Sequence, residues 1–217
     1  MADRPATTTY EIRVWLPDRP GALGEVAGRI GSVGADVVGI EILETGGGSA
    51  IDDLLVALPD TVPLERLIEA IASADGVAVE EVARLERPRP DPALGALEIV
   101  RAVAAEPPRD RLTRFCRELR SFIDGEWAAA VRLSDDSAVA MSGRVPDLPW
   151  LSAFLHGSKH LTAEADTTPG DIVWCALPST GIRVASGRDG RVFHAREREM
   201  VRLLGDVVDL LVLSALG

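Results

Sequence analysis

Tyr10, Ile12, Val14 and Leu16 alternate with Glu11, Arg13 and Trp15. A period of two belongs to a half-buried strand, so the pattern predicts a strand over about residues 10–17. Leu23, Val26, Ala27, Ile30 and Val33 then recur at helical spacing, opened by Asp18-Arg19-Pro20-Gly21 and closed by Gly34. Glycine is favoured in the left-handed position after a helix, and a helix over residues 21–33 is expected. Val38, Ile40 and Ile42 alternate with Gly39, Glu41 and Leu43, and beyond Gly46-Gly47-Gly48 one parity holds Ala50, Asp52, Leu54, Val56 and Leu58. These runs predict a hairpin. Pro63 precedes Leu64, Leu67, Ile68 and Ile71 at helical spacing, Gly76 follows, and Val77 to Leu85 is again strand-rich. The predicted order is βαββαβ.

Three alternating prolines in Glu86-Arg87-Pro88-Arg89-Pro90-Asp91-Pro92 deny both helix and sheet and mark a linker over residues 87–92. Residues 9–86 form one expected domain and residues 93–217 another. The second begins with two helical patterns, Leu94, Leu97 and Val100, then Leu112, Phe115, Cys116, Leu119, Phe122 and Ile123. Strand patterns near 127–133 and 137–142 flank the turn-forming Ser134-Asp135-Asp136. Asp147 is placed to cap a helix holding Trp150, Leu151, Phe154 and Leu155. Ile172 to Leu177 and Ile182 to Ala185 read as two more strands. Met200, Val201, Leu204, Val207, Val208 and Leu211 line one face of a long last helix. The fold class is therefore α+β.

Charge narrows the partners. The net charge is −11, and residues 1–86 carry 6 arginines against 16 acidic side chains, whereas the remainder has 17 basic against 18 acidic. An acidic first half repels phosphate backbones and anionic lipid surfaces, and the second half has no basic stripe with interleaved aromatics. Nucleic acid and membrane are not expected as partners. The start lacks the apolar run of a secretory leader, and the apolar tail from Val207 to Leu216 is short and broken by Asp209, so a cytoplasmic location is expected. The two cysteines, Cys116 and Cys175, lie inside apolar patterns and are expected to be buried and inert.

Val14-Trp15-Leu16-Pro17-Asp18-Arg19-Pro20-Gly21-Ala22-Leu23-Gly24-Glu25-Val26, followed by Gly34-Ala35-Asp36-Val37, resembles the strand, loop and helix opening of ACT domains. The resemblance covers about residues 9–86. It implies a ferredoxin-like fold, an antiparallel sheet with both helices on one face, that binds a small amino-acid effector and forms a homodimer. Residues 93–216, ending in Gly187-Arg188-Asp189-Gly190-Arg191-Val192-Phe193-His194-Ala195-Arg196-Glu197, resemble a GAF-type sensor domain, an antiparallel sheet with flanking helices. No cyclic-nucleotide motif or bilin-anchoring cysteine accompanies that likeness.

The Asp18–Leu23 loop carries the expected ligand site, because amides at a helix start bear partial positive charge and can hold a carboxylate. By position in the ACT pattern, Asp18 would receive an ammonium group, Arg19 would assist the carboxylate, and Pro20, Gly21, Ala22 and Leu23 would shape the loop and supply backbone amides. The alternative is a capping turn in which Asp18 satisfies the helix amides. Gly24, Gly28, Gly31 and Gly34 are not a dinucleotide loop, since three of them lie inside the predicted helix, where they suggest close packing. His156 and His160 share a helical spacing but lack a third ligand, so no metal and no cofactor is expected. His194 reads as a polar residue at the start of the last helix. Asp52 and Asp53 point to opposite faces of a strand, cannot act as a dyad, and are expected to meet solvent or an interface. Ser179 lacks the setting of a nucleophile elbow. With no nucleophile, base and orienter assembled, the chain is expected to be a non-catalytic regulator. The alternative is a constitutive dimerisation module that meets a protein partner without an effector.

Overall fold

A computed structural model describes residues 6–85, 91–157 and 170–213 of the chain. Most of the expected linker, and His160, lie outside the described residues. The chain divides into two compact units, Met1–Arg89 and Pro90–Gly217.

In the first unit the order is β1 (Thr7–Pro17), α1 (Ala22–Ser32), β2 (Asp36–Gly46), β3 (Ser49–Pro59), α2 (Leu64–Ala72) and β4 (Ala78–Leu85). The strands form one antiparallel sheet in the order β2-β3-β1-β4. Alternation aims Ile12, Val14 and Leu16 of β1 and Leu54, Val56 and Leu58 of β3 at one face. There they pack with Val26 and Ile30 of α1 and Leu67 and Ile71 of α2. Burying such side chains is worth about 1.5–3 kcal/mol each against exposure, and this layer holds the helices on the sheet. The β2–β3 hairpin closes through Gly47 and Gly48, with φ of 61° and 84°. Two consecutive positive φ values suit the twist of a two-residue hairpin, and glycine adopts them without a Cβ clash.

One expectation is corrected. An added Cβ at Gly24, Gly28 or Gly31 would meet nothing within 4 Å, so these glycines do not mediate close packing of α1 against the rest of the chain. They lie on or beside the open side of the helix, and helical spacing alone does not say what a face meets. Val38, Ile40 and Ile42 are 55%, 46% and 48% exposed, because β2 is an edge strand interrupted by register shifts after Val37 and Ile42.

The second unit runs α3 (Pro92–Ala105), a 3₁₀ turn (Pro108–Asp110), α4 (Arg111–Phe122), β5 (Trp127–Arg132), β6 (Ser137–Gly143) and α5 (Leu148–Gly157). It ends in β7 (Ile172–Leu177), a 3₁₀ turn (Pro178–Thr180), β8 (Ile182–Gly187) and α6 (Ala195–Leu213). Pro92 opens α3 rather than ending the linker. Asp91 caps that helix by accepting from the amides of Ala93 and Leu94 at 2.9 and 3.1 Å. Its sheet is antiparallel in the order β6-β5-β8-β7. Ala128, Ala130, Val173, Cys175 and Val184 pack with Phe115, Leu119, Val201 and Val208 from α4 and α6. Trp127, Ala129, Val131 and Ala185 pack with Leu151 and Leu155 of α5 on the opposite face. Covered on both sides, β5 is buried from Trp127 to Val131, and its three alanines let the layers approach. Both cysteines are buried as expected, and burial pushes the Cys116 thiol up to about 12.

Candidate functional site

The loop from β1 into α1 is built by backbone contacts. The Asp18 amide donates to Gly48 O at 3.0 Å and ties the loop to the hairpin, while Arg19 N donates to Pro17 O at 2.8 Å and Ala22 N to Arg19 O at 3.2 Å. Gly21 stands at the helix start with φ of 90°, a conformation that strains any L side chain. No side-chain oxygen caps α1. Among the described residues no hydrogen bond joins the Asp18 carboxylate to an α1 amide. Glu25 N is satisfied by Gly21 O at 2.9 Å, whereas the amides of Leu23 and Gly24 have no backbone partner among the described residues. These are the orphan donors of a helix start, carrying the positive end of its dipole.

Asp18, Arg19, Pro20 and Gly21 are exposed, Leu23 is half-buried and Ala22 is buried. The Arg19 guanidinium rests 3.7 Å from Glu25, which also lies 3.7 Å from Arg29. Such long, half-exposed ion pairs are worth about 0–1 kcal/mol and leave Arg19 able to turn toward an anion.

One acidic residue beside this loop departs from expectation. Asp52 and Asp53 do face opposite sides, but both are buried. Asp53 is locked to Arg13, Nε to Oδ1 and Nη2 to Oδ2, each at 2.8 Å. Asp52 stands opposite Val14 on the helix-covered side, is 2% exposed, and its Oδ1 has no hydrogen-bond partner. Burial, followed by the charges of Asp53 and Asp18, raises its pKa above the ordinary 3.8. Sequence carried the signal, since Asp52 is the one acid on the parity of Ala50, Leu54, Val56 and Leu58.

A raised carboxyl pKa means that the folded chain holds the proton more tightly than the unfolded chain. The residue therefore costs nothing below about pH 3.8 and destabilises as the pH rises through its elevated value. Asp52→Asn, near in size and uncharged, should raise the melting temperature at pH 7, with the gain shrinking to nothing as the pH falls toward that of the free carboxyl. Melting curves of the two proteins from pH 3.5 to 8 check this, and a pH-independent difference would contradict it.

The remaining candidates are structural or incomplete. His156 Nε2 lies 2.8 Å from Asp136 Oδ1, which also accepts from Ser152 Oγ at 2.5 Å, beside a cavity of about 350 Å³ lined by Leu148, Pro149 and Ala153. The aspartate sits between serine and histidine, so the hydroxyl meets the carboxylate and not the imidazole. His194 is buried ahead of α6 and its amide donates to Glu197 at 2.9 Å. Ser179 donates to Asp209 at 2.8 Å and anchors the turn before β8. Among the described residues no group of three or more His, Cys, Asp or Glu side chains is placed to hold a metal. No described helix is long and apolar enough to cross a membrane.

The βαββαβ order, the helix-covered sheet and the open loop agree with a comparison to protein families. Residues 10–76 match the family model of the ACT domain. The second unit lies outside that match. No curated protein matches the chain. Among solved structures, the ACT domain from the GTP pyrophosphokinase of Chlorobium tepidum is 21% identical and is covered over its full length by 37% of this chain, with a TM-score of 0.30. An unknown protein from Galdieria sulphuraria is 22% identical over 47% of this chain and 65% of its own length, with a TM-score of 0.33. A formyltetrahydrofolate deformylase from Pseudomonas putida KT2440 is 11% identical over 96% of this chain and 94% of its own, again at 0.33. The region that matches the ACT-domain model thus includes the loop where β1 meets α1.

Proposed function

We propose that the chain is a non-catalytic regulatory protein whose ACT domain binds a small amino acid at the β1–α1 loop. The observation that carries this reading is the pair of unpartnered amides, Leu23 and Gly24, at an uncapped helix start held open by Gly21. A carboxylate there would accept from both amides and meet the helix dipole, with Arg19 within reach to assist. The second unit, an antiparallel sheet with helices on both faces, is read as a GAF-like sensor that passes the signal on. A thermal-shift screen over the twenty amino acids tests the proposal. A ligand at 100 times its dissociation constant adds about 2.7 kcal/mol to native stability. At least one amino acid should raise the melting temperature, with Arg19→Ala weakening its affinity. A screen without a single shift would overturn the reading.

A second reading, a dimerisation module with no effector, is favoured by Val38, Ile40 and Ile42 on the β2 edge. An edge strand offers unpaired backbone groups, and an exposed apolar row beside it invites a second copy. In the sensing model the effector meets both copies and must reciprocally favour pairing, whereas in the second reading pairing is indifferent to amino acids. Sedimentation of the full chain with and without the amino acid from the screen separates the two.

A further inference from the structure

Beside α5 a cluster of polar side chains borders open space, and we infer that this cleft is a binding site for a small primary amine with an apolar body. It lies within the second unit and is independent of the loop reading above. The cavity, of about 350 Å³, is lined by Asp136, Leu148, Pro149, Ser152, Ala153 and His156. Pro149, Ser152, Ala153 and His156 fall at helical spacing on one face of α5, and Asp136 reaches that face from the β5–β6 turn. Small-molecule sites span roughly 300–1,000 Å³, so this volume suits a small ligand. The sheet face under α5 is filled by Trp127, Ala129, Val131, Leu151 and Leu155, so the cleft is not a gap in that core.

The polar groups converge on one atom. Ser152 Oγ donates to Asp136 Oδ1 at 2.5 Å, and His156 Nε2, which donates when it faces a carboxylate, lies 2.8 Å from the same oxygen. Ser152 is 4% exposed, whereas the Asp136 side chain is 59% exposed. A buried hydroxyl and an imidazole thus fix the direction of a carboxylate that solvent can reach. Fastening α5 to the turn needs only those two bonds. The wall of Leu148, Pro149 and Ala153 beside them gives the hydrocarbon part of a ligand a place as well. Charge selects the ligand's other end. Asp135 in the same turn and Asp147 at the start of α5 add negative charge, while Arg132 is turned to Asp135 at 3.7 Å and to Ser137 Oγ at 3.3 Å. An anion is repelled here, whereas an ammonium group supplies donors and counter-charge to Asp136 while its stem lies on the wall. A metal ion fits less well, since among the described residues no third acidic, histidine or cysteine side chain is grouped with Asp136 and His156.

The test uses the full chain, with phenethylamine as the probe and phenethyl alcohol and hydrocinnamate as its neutral and anionic counterparts. Backbone-amide NMR spectra are recorded through each titration. Phenethylamine should perturb the amides of Ser152, Ala153 and His156 and bind about 10-fold more tightly than phenethyl alcohol, with hydrocinnamate weaker still. That factor is the gain of a hydrogen bond to a charged group over a neutral one. Asp136→Asn keeps a residue that tolerates the left-handed φ of 55° and removes the charge. It should lower the amine's affinity about 10-fold and leave that of the alcohol nearly unchanged. Ala153→Leu, at an exposed position of α5, should occupy the apolar wall and weaken both. Equal binding of amine and alcohol, tighter binding of hydrocinnamate, or amine perturbations confined to the first unit would overturn the assignment. Zinc chloride that perturbs these amides where the amine does not would make the cluster a metal site and overturn it too. Should Asp136→Asn fail to fold, the comparison of amine with alcohol on the wild type and the response of Ala153→Leu decide the matter.

Discussion

Arg13→Ala is expected to destabilise the first unit by about 3–5 kcal/mol, the cost of leaving one member of a buried ion pair without its partner. The register of β1 against β3 sets Arg13 opposite Asp53 on the sheet face away from the helices. Their side chains are 3% and 8% exposed and joined by a two-bond fork. Removing the guanidinium strands the Asp53 carboxylate one residue from Asp52, whose Oδ1 already lacks a hydrogen-bond partner. For a domain of this size each kcal/mol moves the melting temperature by roughly 4–8 °C, so a large drop is expected. Arg13→Lys should recover only part of it, because an ammonium is a point charge and cannot reproduce the fork. Replacing both residues, Arg13→Met with Asp53→Leu, should cost far less than Arg13→Ala alone, since charge and partner leave together. Urea unfolding of the four proteins measures this. A loss below about 1 kcal/mol for Arg13→Ala would mean that Asp53 finds another partner when the arginine is gone.

Local periodicity carried much of the first unit. Alternation over Tyr10–Leu16, the paired glycines of the hairpin and the helical spacing of Val26 and Ile30 each report what a residue's nearest chain neighbours do, and all three appear in the structure. What periodicity cannot report is the coverage of a face. Alternation predicts a polar, wet side for Glu11 and Arg13, yet both are buried. The glycine spacing of α1 suggests a packed face where the helix meets open space. For the site, the Asp18–Leu23 loop was legible because a turn into a helix has fixed chemistry, including Gly21 at positive φ. Asp52 was half legible, since an acid on an apolar parity is visible in sequence but its want of a partner is a property of the assembled sheet. Asp136, Ser152 and His156 carry no such signal. They meet only because α5 is laid beside the β5–β6 turn, where Asp136 holds a φ of 55°.

The second unit has its own buried latch, and Arg188→Ala should cost it about 3–5 kcal/mol. Arg188 follows β8 and is 3% exposed. Its guanidinium donates to Ile123 O at the end of α4 at 3.1 Å and to Val192 O at 2.7 Å, and lies 2.8 Å from Glu197 in the first turn of α6. It also stacks 3.9 Å from the centroid of the Phe193 ring. Glu197 in turn accepts from the His194 amide, so one carboxylate both caps α6 and neutralises the arginine. Alanine removes the bond to Ile123, the stack and the counter-charge of Glu197 in a single step, leaving the carbonyls of Ile123, Arg191 and Val192 and a carboxylate to find other partners. Lysine keeps the charge but cannot reach several acceptors from one plane while lying on the ring, so Arg188→Lys should fall between wild type and alanine. Glu197→Gln should be milder still, because the amide oxygen can continue to accept from His194 while Arg188 keeps its carbonyl partners. The predicted order of loss is Arg188→Ala, then Arg188→Lys, then Glu197→Gln, measured by chemical denaturation followed by circular dichroism. If Glu197→Gln costs as much as Arg188→Ala, the ion pair rather than the arginine's several contacts holds α6 to the sheet, and the carbonyl bonds and ring stack contribute little.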